Sequence, residues 1–245
     1  MASLYGQQND PDFKDWLRRI MIAGEVPSQN IITAVGMFVV TCKQNDIWDK
    51  LKEVYILSGL TNFEATKQKL KYINNPLMLS SGISSSHYTP TGPGAGVDLN
   101  NGNMSYNLDV SMTDLELGNR SAGVYDIAKV DSFYSTLIGR QRGGSNSAWG
   151  PTVDPTGITA WRFLDLDSGT VGIGSSNTSP AGLFANFEGV GEVFGYAHNS
   201  ATGFSYPVQG VMGGTGGYTI GAPLGGGGWG AATIRFGYLG LSFAA

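Results

Sequence analysis

The chain changes pattern near Pro76, and that change constrains its fold more than any other feature. Residues 1–75 follow helical periods, whereas the remaining residues alternate in twos between turns rich in Gly, Ser and Asn. Four of the 37 glycines fall in residues 1–75 and 33 in 76–245, so turn chemistry is concentrated in the second part. Glycine costs entropy inside a helix or strand but permits tight turns. The pattern therefore predicts an α-helical unit over 1–75 and a mainly β body over 76–245.

The first helix is predicted from Asp10-Pro11, since Asp caps free N–H groups and Pro suits the first helical position. Phe13, Trp16, Leu17, Ile20 and Met21 fall on one face, and Gly24 marks the stop. A second helix is predicted from Ser28 to about Asn45, with Ile31, Val35, Phe38, Val39 and Cys42 on its apolar face. Val54-Tyr55-Ile56-Leu57 reads as a short buried strand. A third helix is predicted from Thr61, paired with Glu64 as a capping box, to about Tyr72. Helices this short are marginal alone, so their stripes must pack on one another, on the β body or on a neighbour, with Trp48 as the central core residue.

In the body, Met104, Tyr106, Leu108, Val110 and Met112 alternate with polar residues, which predicts a strand over Met104–Met112. Further strands are predicted over Phe133–Ile138, Trp161–Leu166, Thr170–Ile173, Phe184–Phe187, Val193–Ala197 and Thr233–Phe243. Short strands between Gly/Ser/Asn turns indicate a jelly-roll, concanavalin A-like β-sandwich. In the last strand the alternation shifts phase between Tyr238 and Leu239, and Gly237 or Gly240 is the predicted bulge. Ser80–Gly102 and Gly139–Gly157 read as surface loops. The glycine-rich stretch 210–230 reads as a mobile loop or as an extended arm against a neighbouring subunit, and its punctuation by Tyr218, Ile220, Leu224 and Trp229 favours the arm.

Charged residues make up 14% of the chain, below the usual quarter. Residues 1–75 hold nine Lys/Arg against eight Asp/Glu, and 76–245 hold six against eleven, so the body is acidic and unsuited to gripping nucleic acid. No run approaches the roughly 18 apolar residues of a membrane span, and no signal-peptide pattern precedes Asp12. The single cysteine, Cys42, forms no intrachain disulfide and reads as a buried hydrophobe. His87 and His198 are isolated, without metal-ligand spacing, and no cofactor is expected. Asp165-Leu166-Asp167-Ser168-Gly169 begins like a calcium loop but lacks its downstream Glu, and an acidic strand face explains it better. Gly139–Gly144 lacks the Lys-Ser/Thr of a phosphate loop, and no nucleophile elbow occurs. If an enzyme were present, Asp165, Asp167, Glu188 and Glu192 are the carboxylates from which a glycosidase pair would come. Aromatics set among small residues, Tyr88, Trp149, Tyr206, Tyr218 and Trp229, read either as interface or loop anchors or as binding residues whose rings stack on a sugar.

Phe13-Lys14-Asp15-Trp16-Leu17-Arg18-Arg19-Ile20, then Ala23-Gly24, then the segment Cys42 to Leu51, then Val54–Leu57 and Lys69-Leu70 form an ordered series. Over residues 12–72 this series resembles the N-terminal section of a group of tailed-phage virion proteins, in which a short helical segment precedes a laminin-G or concanavalin A-like sandwich. Past Pro76 the likeness rests on Met104–Met112 and on Ile234–Leu241. The family turn is Ala-Gly-Gly, where this chain has Ala23-Gly24-Glu25; the arm over 210–230 is unusually long; and relatives often add a closing helix beyond the last strand. The resemblance implies a structural protein of a bacteriophage particle, as tail fibre or capsid decoration, and supplies no catalytic residues. The expected partners are further copies of the chain, as a trimer covering the face left without a closing helix, other virion proteins through the helical head, and a host-surface glycan. The competing expectation is a polysaccharide-degrading enzyme on the same sandwich.

Overall fold

The computed structural model describes residues 9–99, Phe243, and strands lying between residues 105 and 241. Helix α1 spans Pro11–Ile22, and the Asp10 carboxylate accepts from the N–H groups of Asp12 and Phe13 at 3.0 and 3.2 Å. It ends at Gly24, whose φ of +89° lies in the left-handed region that glycine enters without penalty. Helix α2 spans Gln29–Gln44, capped by Ser28. Both helices match the sequence reading. Phe13, Trp16 and Ile20 of α1 meet Val35, Val39 and Cys42 of α2 in one buried cluster with Trp48, Leu51, Val54 and Tyr238.

Strand β1, Leu51–Ile56, begins three residues before the predicted start and pairs antiparallel with β16, Ala231–Leu241. The sheet thus continues across the composition boundary at Pro76, and the helices pack on its last strand; the Phe38 and Phe236 rings meet edge to face at 5.5 Å. The remaining strands of this seven-stranded sheet are β3 (Tyr88–Thr89), β4 (Gly96–Asp98), β6 (Asn119–Val130), β13 (Ala181–Glu188) and β14 (Glu192–Ala197). Their order is β14-β13-β6-β16-β4-β3, with β1 beside β4 along the same edge of β16. A five-stranded sheet has the order β2 (Leu79–Ser81), β5 (Ser105–Leu108), β15 (Tyr218–Ile220), β8 (Ile138–Gln141) and β9 (Ala148–Trp149). Two further two-stranded sheets pair β7 (Ser135–Thr136) with β10 (Thr152–Val153) and, as a hairpin, β11 (Thr159–Asp165) with β12 (Gly169–Ser175). All of these pairings are antiparallel, and the expected class holds: mainly β, a jelly-roll-like sandwich with a short helical N-terminal part.

Several local expectations are corrected. The third helix is four residues long, Phe63–Thr66, here α3, and its cap is Asn62, not Thr61. Residues 67–71 run instead as a strap whose backbone groups are claimed by other elements. Leu70 N–H donates to Val54 O, Lys71 O accepts from Val54 N–H, and Lys69 N–H donates to Pro76 O. Trp16 Nε1 and Arg19 of α1 donate to the carbonyls of Gln68 and Lys69. Those tertiary bonds outweigh a helical preference worth little over ten residues. Thr61 Oγ1 and the Asn62 N–H donate to the buried Glu25 carboxylate, so Glu25 clamps this corner.

Against β6 the register of the last strand shifts twice, between Thr233 and Ile234 and between Ile234 and Phe236, where Arg235 is the extra residue. Against β1 it shifts between Gly240 and Leu239, but the extra residue there is Lys52 of β1, so neither Gly237 nor Gly240 is the bulged residue. Ser80–Gly102 is not a plain surface loop, since it carries β3 and β4 and buries Ala95, Val97 and Leu99. Gly139–Gly157 likewise holds most of β8 together with β9 and β10. Of the stretch 210–230, the described residues Tyr218–Ile220 are an internal strand of the chain's own sheet, with Ile220 fully buried, and so do not form an arm against a neighbour. Of the strand predicted over Met104–Met112 the described part is β5. The strand predicted over Phe133–Ile138 falls on β7 and the first residue of β8, which belong to different sheets, and the remaining predicted strands recur with shifted ends.

Candidate functional site

The antiparallel register of the five-stranded sheet gathers two of the predicted aromatics. Trp149 of β9 is the direct partner of Arg140 in β8. Arg140 is also the direct partner of Tyr218 in β15, which pairs on its other side with Leu108 in β5. Positions 149, 140, 218 and 108 thus form one transverse row. Directly opposed residues in antiparallel strands share a face, about 5 Å from one neighbour to the next. The register thus sets an arginine position between two aromatic ones, residue types that suit stacking on a sugar ring and donating to its oxygens. Neither the aromatic row nor the strands β8 and β9 were apparent from spacing, because Gly139 and the Gly/Ser-rich flanks conceal the period of two.

A second feature is an open groove of about 650 Å³ between α3 and the turn before β3, lined by Asn62, Phe63, Glu64, Lys67, Ile83 and Ser84. Phe63 and Ile83 are buried and form its floor. The Lys67 ammonium lies 4.8 Å from the centre of the Phe63 ring and donates to both oxygens of Glu64, at 2.7 and 2.9 Å. Tyr88 backs this floor, its ring 6.0 Å from Phe63. Its hydroxyl donates to the Leu60 carbonyl and burial pushes its pKa up, so Tyr88 is a half-buried anchor. Beside the groove, the Ser84 hydroxyl lies 3.0 Å from Nδ1 of His87 and the Ser84 N–H donates to the same nitrogen. This pair closes the single turn Ser85–His87 as a capping box, and among the described residues no third one orients the imidazole.

Tyr206, Trp229, Asp167 and His198 lie outside the described residues. Asp165 pairs with Gly169 across the β11–β12 hairpin, so the calcium-like spacing spans a hairpin end. Glu188 and Glu192 are direct partners at the β13–β14 hairpin, a juxtaposition of two carboxylate-bearing residues that spacing alone does not reveal. Cys42 is buried, as expected, and burial pushes its thiol up to about 11. Among the described residues no group of three or more His, Cys, Asp or Glu is placed to hold a metal ion, and no helix is long and apolar enough to cross a membrane.

By sequence, no protein-family model and no curated protein matches the chain. By structure, it is similar to the receptor-binding domain of botulinum neurotoxin D, at a TM-score of 0.53 and 10% identity over 80% of this chain and 50% of that one. It is also similar to the binding domain of botulinum neurotoxin serotype G, at 0.52 and 10% identity over 79% and 48%. A third similarity is to botulinum neurotoxin type C, whose passage into cells is dependent upon interaction with two ganglioside molecules, at 0.50 and 12% identity over 84% and 50%. The chain spans about half the length of these neighbours, and at such identities the likeness is one of fold: an antiparallel β-sandwich of the kind those binding domains use.

Proposed function

We propose that the chain is a structural protein of a bacteriophage particle that binds a host-surface glycan through the row Trp149–Arg140–Tyr218. That row is the observation that carries the reading, since it joins two independently predicted stacking aromatics across a cation. The shared fold supports it, because the neighbours are receptor-binding domains and one acts through gangliosides. The groove between Glu64, Lys67 and Ser84 adds hydrogen-bonding groups over an apolar floor and is the second place a saccharide would lodge.

The virion placement rests on the resemblance of residues 12–72 to tailed-phage proteins. The helical part bears the contact with other virion proteins, and its exposed apolar residues fit that role: Met21, Ile22 and Val26 are 56, 74 and 86% exposed. The assembly is a trimer, to be checked by light scattering on the full chain.

The test of the binding reading is a screen of the full chain against bacterial surface polysaccharides and animal glycans. Trp149→Ala and Tyr218→Ala should each weaken binding about tenfold, or roughly 1.4 kcal/mol, with the circular dichroism unchanged. Wild-type affinity in both variants would remove the row from the proposal. The opposed positions 188 and 192 favour one alternative, a glycosidase, because they pair two of the carboxylate-bearing residues from which such an enzyme draws its acid and its nucleophile. Shortened saccharides in the same screen, abolished by Glu188→Gln, would select it.

A further inference from the structure

Lys69 and Glu53 form the one ion pair among the described residues in which both side chains are fully buried, 0% exposed, with Nζ 2.7 Å from Oε1. The five other pairs each keep at least one partner in contact with water. Burying two charges is expensive, and the cost is recovered only when the remaining donors and lone pairs are satisfied. Here that condition is half met. Glu53 is well served: the Tyr55 hydroxyl donates to Oε2, and the Ile73 backbone N–H donates to the same carboxylate. The ammonium has three N–H groups and, among the described residues, a single acceptor, Glu53 Oε1. Two buried N–H donors are left over, which is the arrangement that loss of protons from nitrogen would relieve.

We propose that Glu53 and Lys69 condense into an intramolecular isopeptide cross-link. A nitrogen at hydrogen-bonding distance from one carboxylate oxygen is roughly 3.5 Å from the carboxyl carbon, at the edge of the range for attack. The ammonium first passes a proton to Oε1, giving a neutral amine and a neutral acid. Burial favours the uncharged acid, and the Glu53 carboxyl is held above the usual range by desolvation, partly offset by Lys69 and by the hydrogen bonds from Lys69, Tyr55 and Ile73. The Nζ lone pair then attacks Cδ, forming the N–C bond. Tyr55, whose hydroxyl burial keeps protonated, steadies the negative charge that develops on Oε2. A second proton moves from nitrogen to Oε1, the C–Oε1 bond breaks, and Oε1 leaves as water. Both protons of that water come from the ammonium, the amide keeps the third, and Oε2 becomes the amide carbonyl, so no co-reactant is required.

The equilibrium favours the same direction. In water an amide hydrolyses largely because the acid and amine that form become ionised and solvated. Neither group can be solvated at this position, and the product is a neutral amide with its carbonyl already held by Tyr55. The link would tie β1, paired to β16, to the strap that α1 grips through Trp16 and Arg19. It would close a loop around α3 and the groove floor, stapling a chain whose single cysteine allows no intrachain disulfide.

The experiment is the mass of the full chain, denatured, together with its tryptic map. The expected result is a chain lighter than its sequence by one water. Cleavage after Lys69 should be missing, and a branched peptide should join the segment beginning at Glu53 to the one containing Lys69. Lys69→Arg, which keeps the charge but cannot condense, should show the full sequence mass. Tyr55→Phe should slow linkage about a hundredfold, the usual effect of removing one oxyanion donor. A sequence mass that persists after prolonged incubation of folded wild-type protein would overturn the proposal. So would a loss of water mapped to an aspartyl succinimide, which leaves both peptides unbranched.

Discussion

Gly240 lies against the Lys50 carbonyl so closely that a Cβ on it would stand 2.7 Å from that oxygen and 3.2 Å from the Leu51 Cα. The contact sits where β1 meets β16, and the Leu241 N–H donates to the same Lys50 oxygen at 2.7 Å. Both obstructing atoms belong to backbone, so neither can swing aside. Gly240→Ala should therefore lower stability by about 1–3 kcal/mol, the usual cost of overpacking. Urea unfolding monitored by tryptophan fluorescence would measure it. A variant as stable as the parent would mean that β1 is free to shift along β16.

Asp15 gives a prediction in pH. Burial alone would raise its pKa, but hydrogen bonds and charge from Arg19 and Arg18 outweigh that, and the net shift is downward. A carboxylate with a lowered folded pKa contributes stability that is present above its unfolded value, near 3.8, and is lost as pH falls through the folded value. Asp15→Asn should thus be less stable than the parent at pH 7, with the difference vanishing in strong acid. Because the Asp15 side chain is 37% exposed, the gap should also shrink in high salt. Denaturant midpoints for both proteins across the acid range would check the sign.

Cys42 should be silent toward thiol reagents while the chain is folded. The residue is buried, and burial holds its thiol near 11, so almost no thiolate exists at pH 8. A disulfide reagent added at that pH should react at the rate of global opening and at full speed in denaturant. Rapid labelling of native protein would show that α1 and α2 part locally at this seam.

The helices of the N-terminal part were legible because their signals are local. Asp10, Pro11, Gly24 and Ser28 each do their work within a few residues, so caps and apolar stripes fixed both helices almost to the residue. The twelve-residue strand β6, flanked by β13 and β16, has no clear signal in the sequence. Its stretch Ser121-Ala122-Gly123-Val124 alternates between small residues, and with so little contrast between faces the period of two is faint. The strap at 67–71 has a helix-like local pattern, but its hydrogen-bond partners are remote, in β1, α1 and at Pro76, and no local signal marks them. The same holds for the site. Trp149 and Tyr218 could be picked as ring-bearing residues among small ones, but their meeting across Arg140 is a matter of register, which only pairing reveals.

Arg235 occupies the bulge in β16 and turns that irregularity into a tether. Its Nε donates to Ala95 O at 2.9 Å, and Nη2 donates to Gly92 O and Pro93 O at 3.1 and 2.6 Å. The bulge re-aims one residue out of the ladder, a common use of such a break in pairing. Three carbonyls of the turn before β4 are thereby fixed by one planar group, a geometry that a lysine cannot reproduce. Arg235→Lys should leave the core intact, since Ile234, Tyr238 and Leu239 stay buried beside it. The amides of residues 91–96 should then exchange with solvent faster, by about tenfold for a local loss of roughly 1.4 kcal/mol, while those of β1 and β16 keep their protection. Hydrogen exchange read by mass spectrometry separates the two regions. Unchanged exchange at 91–96 would show that Gly96, whose φ is +140° and whose Cα packs on the Ile234 carbonyl, holds the turn without help from the guanidinium.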